Sequence, residues 1–148
     1  MLRNIVRSIG TLGILALIGC APPNQQASAT STNALSFSQG ASYAPTPAVA
    51  GNSTVITFTI TYTSLVAGTT LSSIPYTVTK DGVPGFANGT IPSITSGGTA
   101  SANFSDMPSL SGSHTYVVAV DPNNTTGASS APANTQTTTI YYAPGANG

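Results

Sequence analysis

Few residues in this chain can do chemistry. Cys20 is the only cysteine and His114 the only histidine among 148 residues, and three acids stand against three cations. A histidine acting as general base needs a nucleophile and an orienting acid in register with it. Serines are so abundant here that spacing singles none out, and His114 reads as a strand-end histidine packed beside a core. A zinc site usually takes three or four strong ligands, more than one His and one Cys supply. Asp121, Asn123 and Asn124 offer oxygens to a calcium ion, but that ion takes about six to eight, usually with more than one carboxylate. Asp121 and Asn123 are thus the only metal candidates, and a solvated turn is the simpler reading. No catalytic set and no cofactor is expected.

Cys20 is different because of where it stands. Arg3 and Arg7 precede an uncharged, largely apolar run from Ile9 to Ile18. A secretory hydrophobic region is about 7–15 residues long, whereas a membrane-crossing helix needs about 20. The run ends in Leu17-Ile18-Gly19-Cys20, which resembles the lipobox of bacterial lipoprotein signal peptides. The resemblance implies removal of residues 1–19 as a signal helix and diacylglycerol on the Cys20 thiol, often with a further chain on the freed amine. One acyl chain binds a membrane only marginally, and a second makes anchoring stable. Ala21 stands where an aspartate tends to retain lipoproteins at an inner membrane, so an outer membrane is favoured where the source has two. The expected localisation is therefore exported and lipid-anchored.

Composition bounds the rest. Cleavage before Cys20 leaves 148 − 19 = 129 residues, with Lys80 against Asp81, Asp106 and Asp121, a formal charge of 1 − 3 = −2. One lysine and no arginine cannot neutralise a row of phosphates, which excludes nucleic acid as a partner. With Cys20 committed to lipid, no intrachain disulfide is available. Residues 21–33 are small, polar and aperiodic, as in a disordered linker.

From Leu35 the pattern has period two. Leu35 and Phe37 open it. In residues 54–63, Ile56, Phe58, Ile60 and Tyr62 alternate with threonines, as in a half-buried antiparallel strand. Ile74, Tyr76 and Val78 repeat the pattern, and Asp81-Gly82 closes it with a tight turn. Weaker alternation follows near residues 89–94 and 99–104. His114, Tyr116, Val118 and Val120 share one face of a long strand that Asp121-Pro122-Asn123-Asn124 stops. Residues 135–142 form the last strand. No helical periodicity follows residue 20. About seven short strands separated by Gly, Pro and Asn turns predict an all-β, Ig-like antiparallel sandwich. The position of Leu110, six residues before Tyr116, suits a tyrosine corner, in which the phenol bonds back to nearby backbone.

The same residues resemble a family. Ala34-Leu35-Ser36-Phe37, Pro47, Val49-Ala50-Gly51, Lys80-Asp81-Gly82, Gly112 and the run from Val118 to Asn124 are similar to the CARDB domain, a bacterial cell-adhesion-related Ig or fibronectin-like sandwich. The likeness runs over residues 34–142, with 143–148 as a tail, and Asn134 matches the asparagine that opens the family's last strand. Tyr62-Thr63-Ser64-Leu65 stands where the family has Asn-x-Gly. Residues 127–133 carry none of the family's acids, which leaves a cation site built on them without its ligands.

The resemblance implies a non-catalytic adhesion or protein-interaction role, with the membrane as one partner through Cys20 and an envelope protein or glycan as another. A carbohydrate-binding module is the alternative, with Tyr141 as its best aromatic. The last strand has neither proline nor charge to protect an edge, so Thr139 and Tyr141 are the expected interaction residues.

Overall fold

Alternation builds the centre of the fold. In the computed structural model, which describes residues 33–128 and 134–145, strand β4 (Thr54–Thr63) buries Ile56, Phe58, Ile60 and Tyr62 and turns Thr57, Thr59 and Thr61 outward. Two short strands, β1 (Ala34–Phe37) and β2 (Ser42–Ala44), lie end to end along one side of β4. On its other side runs β7 (Thr99–Asp106), and all these pairings are antiparallel.

The second sheet has the order β3 (Ala48–Val49), β9 (Thr135–Ala143), β8 (Gly112–Val120), β5 (Thr70–Lys80) and β6 (Val83–Thr95). Among the described strands only β3 and β9 pair in parallel. Pro45 and Pro47 lie in the bend that carries the chain from the first sheet to the second. Proline has no N–H to donate, so the ladder stops there. Nine strands stand among the described residues where about seven were predicted, because β2 and β3 follow the expected first strand before β4. No helix occurs among the described residues. The signal segment, Cys20 and the linker up to residue 32 lie outside them.

The pair β5–β6 explains a weak sequence signal. Leu71 and Ile74 are both buried, as are Ile91 and Ile94, although each pair is three residues apart. Ser72 pairs with Ser93 and Ile74 with Ile91, which leaves Ser73 and Pro92 outside the ladder at matching positions. Ser73 takes a positive φ of 54°. Both strands slip phase together, so both keep their apolar residues inward. At the other end, Asp81 and Gly82 have φ of 50° and 80°, as in the mirror-type two-residue hairpin loop whose twist suits the flanking strands.

The inward residues of both sheets form one core. Phe58, Tyr116 and Val118 are all buried in it as expected. Phe58 nevertheless packs with Phe37 and Tyr76, whereas Tyr116 packs with Phe86 and Phe104. The core thus has two aromatic groups.

Candidate functional site

Three of the four charged residues among the described ones, Lys80, Asp81 and Asp106, gather at one pole. Lys80 ends β5, Asp106 ends β7, and Asp81 and His114 sit beside them in the hairpin loop and at the start of β8. The Lys80 Nζ lies 2.5 Å from Asp106 Oδ2, and both side chains are largely buried. The Tyr116 hydroxyl donates to the same Oδ2. It also lies 3.0 Å from the Tyr142 hydroxyl. The Met107 N–H donates to Asp106 Oδ1 at 2.8 Å. The Lys80 ammonium stands 5.2 Å from the centroid of Phe86 and 6.0 Å from that of Tyr116. Burial pushes the Asp106 carboxyl up, but the bonds from Lys80 and Tyr116 outweigh it and hold the group below the usual carboxylate range. Burial first, and then the bond to Asp106, pushes the Tyr116 phenol well up, so it remains a donor.

This arrangement corrects one expectation. Tyr116 makes no tyrosine corner, because the Asp106 carboxylate, from the opposite sheet, takes its hydroxyl in place of backbone near Leu110. Leu110 itself is exposed. The pairing of Lys80 with Asp106 gave no local sequence signal, since the partners come from different sheets.

His114 is held beside this cluster. Its Nδ1 lies 2.6 Å from Asp81 Oδ2, and its ring meets Tyr142 edge-on with centroids 5.6 Å apart. The bond from His114 and one from the Thr115 N–H hold the Asp81 carboxyl below its usual range. His114 Nε2 is buried and makes no hydrogen bond. A Ser-His-Asp triad requires a nucleophile's hydroxyl on that second nitrogen. The structure brings His114 and Asp81 together and no hydroxyl onto Nε2.

Asp121 is fully buried at the end of β8. Its Oδ1 accepts from the N–H and hydroxyl of Thr125, and its Oδ2 accepts from those of Thr126, all within 2.6–3.0 Å. Burial raises the carboxyl's pKa, and these four bonds bring it below the usual range. The carboxylate shapes its own turn, and Asn123 is exposed. Among the described residues, no group of three or more His, Cys, Asp or Glu comes together as a metal site.

The outer side of β9 has a different character. The Asn134 carbonyl accepts from Val120 N–H on the β8 side, and the Ala143 carbonyl accepts from Ala50 N–H on the other. Backbone groups alternate sides along a strand. Thr137 and Thr139 therefore aim their N–H and C=O away from β8, where β3 reaches only Tyr142 and Ala143. Thr139 is exposed, and Tyr141 is 60% exposed. The opposite edge of this sheet, β6, carries Pro84 and Pro92, the residues that commonly protect edges. β9 has no such residue.

Two mainly antiparallel sheets closed on a shared core make an all-β sandwich domain. Solved structures place it more closely, in the fold of CARDB domains. A CARDB domain from Pyrococcus furiosus, in complex with di-metal ions, matches with a TM-score of 0.63 at 16% identity, over 78% of this chain and 97% of that one. A domain of a protein described as a cell surface protein from Methanosarcina acetivorans matches with a TM-score of 0.53 at 23% identity, over 75% of this chain and 92% of that one. No family model matches the chain, and no curated protein does. The residues here do not fit a metal pair: Asp81, Asp106 and Asp121 each bond to protein donors, and they form no cluster.

Proposed function

We propose that this chain is a non-catalytic interaction module, exported and held to a membrane by lipid on Cys20. Its working surface is the outer edge of β9. The open ladder from Thr137 to Thr139, beside exposed Tyr141, carries this reading. It offers the chemistry of strand addition, in which main-chain bonds give affinity and alternate side chains give selectivity. The lipobox residues Leu17 to Cys20 support the anchor, and two acyl chains suffice to hold it. The partner is an envelope protein.

Thr139→Pro tests the edge. It removes one outward N–H and no backbone bond to β8, and gives up only the exposed 3.2 Å hydroxyl contact with Thr115, so the domain should fold while association with itself or with native membrane proteins is lost. An unfolded variant or unchanged association would overturn the reading. Tyr141, the one exposed large aromatic among the described residues, favours a second reading, a glycan-binding module. Retention on immobilised envelope glycans, lost in Tyr141→Ala and kept in Thr139→Pro, would replace the first reading with this one.

A further inference from the structure

The buried pole holds the components of a covalent cross-link. Lys80 is the only lysine of the chain, and its Nζ is 2.5 Å from Asp106 Oδ2. That is shorter than an ordinary charge-assisted N–O contact of about 2.7–2.9 Å. Since a C–O bond is about 1.2 Å, the carboxyl carbon of Asp106 also lies within reach of the nitrogen. Asp106 is 8% exposed, and the rings of Phe86 and Tyr116 flank the ammonium. The bonds from Lys80 and Tyr116 keep the carboxyl ionised at rest, so condensation passes through the minor state in which one proton has moved from nitrogen to oxygen.

The remaining contacts match what condensation requires. Oδ1 accepts the Met107 N–H at 2.8 Å, the kind of donor that stabilises a developing oxyanion. Oδ2, the oxygen that would leave, accepts the Tyr116 hydroxyl. Groups held in such geometry react with effective molarities of about 10⁵–10⁸ M, which offsets the unfavourable loss of water from an amine and an acid in solution.

We propose that Lys80 and Asp106 condense spontaneously into an intramolecular amide joining the two sheets. The ammonium passes one proton to Oδ2, giving amine and acid. The Nζ lone pair then forms a bond to Cγ, and the C–Oδ2 bond breaks. A second Nζ proton goes to the departing oxygen, with Tyr116 bonded to it, and one water leaves. Ammonium and carboxylate become a neutral amide, and no oxidant or cofactor takes part.

The whole protein tests this without prior mutation. Arg3, Arg7 and Lys80 are the only tryptic sites in the sequence, so denatured mature chain has a single site, and an acylated lysine is not cut. The amide predicts an intact mass one water below that of the sequence plus its lipid, and a denatured chain that trypsin leaves whole. Lys80→Arg should restore both full mass and cleavage, which also shows that the site is accessible. Full mass with cleavage after Lys80 in the native sequence would overturn the proposal. So would a one-water deficit that persists in Lys80→Arg, since that loss would belong to succinimide formation at Asp81-Gly82.

Discussion

Tyr76 lies directly over Gly89, its cross-strand partner on β6. A Cβ built on Gly89 would stand 2.6 Å from the Tyr76 hydroxyl oxygen and 2.7 Å from ring carbons. From this position the hydroxyl donates to the Asn103 carbonyl at 2.9 Å, and the ring meets Phe58 edge-on at 5.0 Å. One glycine thus sets a contact between the sheets. Gly89→Ala should displace the ring and cost about 1–3 kcal/mol, as overpacking does. Tyr76→Phe keeps the ring and should cost about 1 kcal/mol for the lost hydrogen bond. Urea midpoints of the two variants check the order, with Gly89→Ala the lower.

Phe58→Ala should cost about 3–5 kcal/mol, since the ring is fully buried among Phe37 and Tyr76. Thr59→Ala, on the outer face, gives up a 2.8 Å hydroxyl contact with Ser101 and should cost under about 1 kcal/mol. Equal losses in chemical denaturation would mean that the faces of β4 are reversed.

Much of this fold was legible because side-chain period and backbone period agree. Residues 54–63 and 112–120 alternate without interruption, and their buried faces follow the pattern. The short strands β2 and β3 were less legible, because no spacing around Pro45 and Pro47 encodes a change of sheet, and the parallel pairing of Ala48 with Tyr142 leaves no local trace. Strands β5 and β6 were read as shorter, since the slip at Ser73 and Pro92 spaces Leu71 from Ile74, and Ile91 from Ile94, by three. The charged pole was not legible at all. Lys80, Asp106 and Tyr116 meet only once the two sheets pack, and no spacing within a strand encodes that. The outward threonines of β9 were visible as sequence, but the open ladder beside them depends on β3 being two residues long.

Acidification should weaken the Asp121 turn. The folded carboxyl titrates below its ordinary value because Thr125 and Thr126 bond its charged form. Its stabilisation is fully present above the unfolded pKa of about 3.9. It is lost as pH falls through the lower folded value. The native protein should therefore lose more stability than Asp121→Asn between about pH 5 and pH 2. Parallel losses in denaturant titrations at several pH values would contradict this.

Lipidation has its own signature. The mature chain extracted from membranes should begin at Cys20 and carry at least two acyl chains by intact mass. Cys20→Ser should remain an uncleaved precursor. A soluble, unmodified chain beginning at another residue would remove the anchor from the account.

The most direct test of the working surface is residue-resolved amide exchange along β9 in the folded protein. If the edge is open, the N–H groups of Thr137 and Thr139 exchange quickly, while those of Thr138 and Ile140, which face β8, are protected. Adding a strand-forming partner should then slow Thr137 and Thr139 and leave their neighbours unchanged. Uniform protection of all four amides in the isolated protein would contradict the account, because the ladder offered to a partner would already be closed.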